Sequence, residues 1–178
     1  MKIIFRSPEL AELDRSPRDL LTLFLFSDER PFRGLAGLAD WRLNSRIART
    51  VRSGQFNGEF GEVLLMPSYG RLPVKGLLLM GLGDRASFNI LRFRESIQRH
   101  ITTVLGIDAK RFATSLPPWE GLRMRPTQAI EFWVTEVQGL LLGKRSPDLD
   151  IVLFERVEAQ RAMMDTVLAF MRRFDGRG

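Results

Sequence analysis

A chain of 178 residues that is 44% hydrophobic and 27% charged has globular composition and enough apolar side chains for a core, which excludes disordered and fibrous classes. No cysteine is present, so disulfides, thiolate nucleophiles and Cys-ligated zinc are excluded, and metal chemistry would fall to carboxylates and the single histidine, His100. The net charge of +6 is carried almost wholly by arginine and favours nucleic acid or acidic partners, although a solvated basic surface has the same composition.

Lys2 to Arg6 reads as a short strand, and the polar connector after it holds Pro8, Pro17 and a turn of helix at Glu9 to Leu13. Leu20 to Phe26 is apolar at consecutive positions, the mark of a central strand covered on both faces. A charged loop then leads to a helix for which Asp40 is the expected N-cap. Leu43, Ile47 and Val51 form its buried stripe, Trp41 packs inward, and Gly54 closes it. After an irregular loop with Phe56 and Phe60, Val63 to Met66 is the next strand. A turn from Pro67 to Pro73 leads into the apolar run Gly76 to Leu82, a second covered strand, and the turn Gly81-Leu82-Gly83-Asp84. From Ile90 the apolar residues Phe93, Ile97, Ile101 and Val104 recur at helical spacing, and Gly106 ends that helix.

Arg111 to Thr114 is a strand, and the loop after it carries Pro117-Pro118-Trp119, expected to be exposed. Pro126 opens the next helix, which has a wide apolar face from Ala129 through Trp133 to Leu141 and stops at Gly143. Leu149 to Phe154 is the last strand. Glu155 to Phe174 is the last helix, with Val157, Met164, Val167, Leu168 and Met171 inward and Arg172, Arg173 and Arg177 as a basic tail. Strands interleaved with helices predict an α/β fold, a three-layer α/β/α sandwich on a mixed sheet of about six strands. Residues 1–178 are expected to form one domain. The apolar runs are far shorter than the roughly 20 residues that cross a bilayer, and the N-terminus reaches Arg6 and Pro8 too soon for a signal peptide, so a cytoplasmic, membrane-free protein is expected.

Asp28 to Asp84 resembles the N-terminal domain of the leucyl aminopeptidase (cytosol aminopeptidase) family. The landmarks, in order, are Arg30-Pro31-Phe32-Arg33-Gly34, Asp40-Trp41-Arg42-Leu43-Asn44, the loop Gly54 to Glu62, the strand Leu64-Leu65-Met66-Pro67, and Leu78 to Gly83. Gln138 to Gly143 looks like the end of that domain's last large helix. The resemblance implies a macro-domain-like fold. The family's two-metal peptidase chemistry belongs to a separate C-terminal domain with an Asn-Thr-Asp-Ala-Glu-Gly-Arg signature, and no Asn-Thr-Asp triplet occurs here. The expectation is therefore a non-catalytic domain with no catalytic residue, metal or cofactor. It would act through protein contacts with a second copy or a catalytic aminopeptidase subunit, with Trp119 and Arg123 as the contact residues. In the family this domain belongs to a hexamer.

Two other readings come from the residues. Arg42, Arg46, Arg49 and Arg52 fall near one face of the helix after Asp40, a basic stripe suited to phosphates, and some family members bind DNA through this domain. A solvated outer face would look the same, and no aromatic is interleaved in the stripe, which argues against stacking on single strands. Gly81, Gly83 and Ala86 satisfy G-x-G-x-x-A between strand and helix, which with Asp84 suggests a nucleotide or ADP-ribose site, although a tight turn needs the same glycines and Thr114 and Ser115 stand where an acid for the ribose is wanted. His100, alone on its helix, is expected to be a partly covered surface residue.

Overall fold

A computed structural model of the chain describes residues 1–141 and 148–175. Six strands form one sheet in the order β1-β6-β5-β2-β4-β3: β1 (Lys2–Arg6), β2 (Arg18–Leu25), β3 (Val63–Pro67), β4 (Val74–Gly81), β5 (Arg111–Thr114) and β6 (Asp150–Phe154). All neighbours are parallel except β3, which runs antiparallel to β4 at the edge. The sheet is mixed, as the sequence predicts. The middle of the sheet is β5 and β2, whereas β4 lies one strand in from the edge.

Alternation along the strands sorts the core into two layers. Leu20 and Phe24 on β2, with Phe26 just past its end, face α4 (Ile90–Gly106), α5 (Pro126–Leu141) and α6 (Val157–Asp175), while Leu21, Leu23 and Leu25 face α1 (Leu10–Asp14), α2 (Gly34–Arg42) and α3 (Arg46–Arg52). Phe93, Ile97, Ile101 and Val104 are fully buried as their spacing requires, and Trp133 lies at the centre of α5. Side chains of this kind remove apolar surface from water at about 25 cal/mol per Å², the main term holding the three layers together. Asn89 caps α4 by accepting from the amide of Arg92 at 3.1 Å.

Several expectations are corrected. The helix after Asp40 is two helices, because Asn44 and Ser45 take left-handed backbone (φ 55° and 58°) and break it. Asp40 lies inside α2 instead of at its start, and its carboxylate accepts from the Ala48 amide at 3.0 Å, so it caps α3 from the preceding helix. Trp41 is 66% exposed, on the side of α2 away from the buried Leu35, Ala36 and Ala39, whereas Trp119 is buried at 6%. Val157 and Leu168 are exposed on α6, while Met163 is fully buried. Gly106 is the last residue of α4, and Asp108 (φ 52°) supplies the left-handed step beyond it. Gly143 and Arg177 lie outside the described residues.

His100 is the clearest reversal. It is fully buried, its ring packed edge-on against Phe24 and Phe112 at centroid distances of 5.5 and 5.4 Å, and neither ring nitrogen has a partner among the described residues. Burial pushes its pKa down to about 3, so the ring is neutral in the folded protein.

Candidate functional site

Five parallel strands deliver their carboxyl ends to one side of the sheet, the place where open α/β sheets form ligand crevices. A crevice of about 570 Å³ opens there. Its floor is Leu23 and Phe24 of β2 and Phe154 of β6, and one wall is the first turn of α2 at Gly34, Leu35 and Ala36. The residue before that turn, Arg33, makes no side-chain cap, so the helix's positive end faces the crevice without a carboxylate of its own.

The opposite wall is the loop after β5, held by Glu155. That carboxylate follows directly on β6 and is 6% exposed. It accepts from the Leu116 amide at 3.0 Å and from the Trp119 indole at 3.4 Å, which explains why Trp119 is tucked into the wall rather than exposed. Burial pushes the Glu155 pKa up to about 7, with the two hydrogen bonds opposing the rise. Around the mouth the arginines are paired. Arg85 lies 2.7 Å from Glu29 and stacks over Phe26 at 4.3 Å, Arg33 reaches Glu29 at 4.0 Å, and Arg156 reaches Glu120 at 3.3 Å. The site combines an apolar floor, a helix N-terminus, guanidinium groups tethered at the rim and one carboxyl that titrates near neutrality. That set suits a small anionic ligand with an apolar or aromatic part.

The Gly81–Asp84 turn lies beside this crevice, but its amides are already engaged. Gly81 donates to Glu62, Leu82 to Leu25 and Gly83 to Gly58, at 2.8 to 2.9 Å. Gly81 is glycine because a Cβ there would come within 2.0 Å of the Glu59 carbonyl, and Gly83 has φ +73°. Asp84 accepts from the Ser87 hydroxyl and from the Ser87 amide, the latter at 2.8 Å, and these contacts hold its carboxyl below the usual range. The glycines thus seat the Gly58–Gly61 loop against β4, and the neighbouring element that reaches the crevice is Arg85.

Of the basic stripe, Arg42 is on α2 and ion-paired to Asp14, while Arg46, Arg49 and Arg52 are on α3. Arg46 lies over the Tyr69 ring at 3.9 Å. Arg123 is exposed with φ 55°, away from any ion pair among the described residues. Among the described residues no group of three or more His, Asp or Glu converges to hold a metal, and no helix is long and apolar enough to cross a membrane. Sequence reasoning missed Glu155; its one signal was an acid placed directly after the apolar run Ile151 to Phe154.

The fold defines a macro-domain-like α/β/α sandwich. A Trypanosoma brucei macrodomain in complex with ADP-ribose superposes with a TM-score of 0.69 at 15% identity, covering 93% of this chain and 68% of that one. A tomato leucine aminopeptidase variant superposes with a TM-score of 0.63 at 16% identity over 93% of this chain and 35% of that one. Residues 22–143 match the model of the cytosol aminopeptidase family's N-terminal domain, and the chain belongs to that family. A probable cytosol aminopeptidase of Thermosynechococcus vestitus is 33% identical over 105 residues, 56% of this chain and 20% of the relative. A second, from Cupriavidus metallidurans, is 31% identical over 74% of this chain. The chain spans about a fifth to a quarter of the length of these two relatives.

Proposed function

We propose that residues 1–178 form a single non-catalytic binding domain that acts in the cytoplasm and whose strand-end crevice takes a small anionic ligand of the nucleotide kind. The carrying observation is the crevice itself, with the uncapped start of α2 on one wall and buried Glu155 on the other. Macrodomain relatives in fold bind ADP-ribose, which makes that molecule the first probe. Titration calorimetry with ADP-ribose tests the reading. Binding should weaken as pH rises through about 7, because ionisation of Glu155 adds a negative charge to the wall. Absence of heat at any pH between 6 and 8 would reject it. A ligand at a hundred times its Kd should also raise folding stability by about 2.7 kcal/mol.

Protein contact is a second reading, favoured by the free edge of β3. Val63 to Pro67 carries no charge, Val63 and Leu65 are 38% and 54% exposed, and a groove beside them is lined by Met66 and by Ile107 at the end of α4. Natural edges are normally blunted with charge, and an uncharged antiparallel edge can pair with its own copy without opposing like charges. A second copy is the occupant proposed, and a catalytic aminopeptidase subunit is the competing one. Light scattering of the pure chain should give a dimer that Leu65→Lys converts to monomer; a monomer from the start would remove self-pairing.

A further inference from the structure

We propose that the corner formed by the end of α2, helix α3 and the β3–β4 hairpin tip is a platform for a single-stranded polynucleotide. The tip is Ser68-Tyr69-Gly70-Arg71, closed by the Arg71 amide donating to the Ser68 carbonyl at 3.1 Å, with both central residues left-handed (φ 56° and 68°). A hairpin turn of that form asks for Asn, Asp or Gly at its first central position, and a bulky aromatic is costly there. The ring it holds is 51% exposed, with the Arg46 guanidinium against it at 3.9 Å. Nearby in the chain Trp41 is the most exposed large apolar side chain among the described residues.

Along the chain these rings stand among basic residues, with Arg42 beside Trp41 paired to Asp14. Residues 41–58 and 63–83 contain no aspartate or glutamate. Arg49, Arg52 and Arg71 are exposed and have no ion pair among the described residues; of the acids that bound these segments, Asp40 is turned inward to the Ala48 amide and Glu62 accepts from the Asn57 and Glu59 amides. Exposed aromatic faces flanked by unpaired guanidinium groups are the chemistry that receives unstacked bases and their phosphates. A duplex keeps its bases stacked inside and offers those rings nothing, so the two exposed aromatics favour single strands over a simple polyanion contact.

The test is a fluorescence titration of the full chain with oligo-dT and oligo-U of about 20 nucleotides and a duplex of equal length, at several salt concentrations. Both single strands should bind at least tenfold more tightly than the duplex, and the ratio of dT to U affinity reads whether DNA or RNA is preferred. Trp41→Ala and Tyr69→Asn should each weaken single-strand binding about fivefold or more. Asn suits the left-handed turn better than Tyr, so Tyr69→Asn should keep or raise the melting temperature, which separates loss of the ring from loss of the fold. Arg49→Ala with Arg52→Ala should reduce the salt slope by about 1.4. Equal affinity for duplex and single strand, binding that survives both aromatic substitutions, or no binding in about 50 mM salt would each overturn the proposal.

Discussion

The strand-end crevice and the arginine corner are both rich in guanidinium groups, yet they hold them differently. In the crevice Arg33 and Arg85 share Glu29, and Arg156 is tied to Glu120. At the corner Arg46 rests on Tyr69, while Arg49, Arg52 and Arg71 have no acid partner among the described residues. Paired charges cost little to bring together and present a nearly balanced rim, which admits a small ligand selected by shape and by a few polar contacts. Unpaired charges raise the local potential and favour a partner that releases many counterions. The same residue type therefore serves two kinds of recognition, and the difference lies in where the carboxylates sit.

Salt should separate the two regions most strongly. If four corner arginines contact phosphates, single-strand affinity should fall about fifty-fold between 50 and 200 mM salt. ADP-ribose affinity, measured in the same buffers, should move only a few-fold; parallel losses would erase the distinction.

Acid stability comes next, because His100 lies beneath the crevice against Phe24, which lines it. Its folded pKa is lowered to about 3 from 6.5, so the unfolded chain binds the extra proton in that window. Stability contributed by the neutral ring is present above pH 6.5 and is lost as pH falls, by up to about tenfold in the folding equilibrium per pH unit. Denaturant unfolding of His100→Phe should lack that component. If the variant followed the wild-type acid profile, the ring would not be titrating on unfolding.

Glu155 acts in the opposite direction. Its folded pKa is raised from 4.5 to about 7, so the folded state holds the extra proton between those values and its stability declines as pH rises across them. Glu155→Gln should flatten the pH dependence of ligand affinity above pH 6.5, where His100 contributes nothing, and leave single-strand binding unchanged. A pH effect that persists in the variant would place the titrating group elsewhere.

The smallest expected effect comes from the cap. Asp40→Ala should cost about 0.5–2 kcal/mol in global stability, read by urea unfolding, because the Ala48 amide loses its acceptor. It should weaken single-strand binding by loosening α3 and leave the crevice untouched. An effect on ADP-ribose equal to that on the oligonucleotide would show the two regions to be coupled.

What could be read in the sequence follows from how local each cause is. The strands and the long helices α4, α5 and α6 were legible because their burial repeats along the chain, as Phe93, Ile97, Ile101 and Val104 show. His100 stands seven residues after Phe93 and three after Ile97, so the same periodicity placed it in the core; its residue type argued otherwise and was outweighed by packing. The helix break was not legible, since Asn44 and Ser45 adopt a left-handed backbone that no glycine announces. Tyr69 reaches Arg46 across 23 positions by way of the β3–β4 hairpin, a contact set by strand pairing. The crevice was hidden for the same reason. Glu155, Trp119 and the start of α2 are separated in sequence and meet only because parallel strands bring their carboxyl ends to one side. The G-x-G-x-x-A spacing at Gly81, a local signal, marks a turn that is itself filled by the Gly58–Gly61 loop.

Titration calorimetry of the full chain with ADP-ribose at pH 6.5 and pH 8 tests the crevice most directly. Binding should be measurable at both values and tighter at pH 6.5, with the difference abolished in Glu155→Gln. No heat of binding at either pH, or an affinity that Glu155→Gln leaves just as dependent on pH, would contradict it.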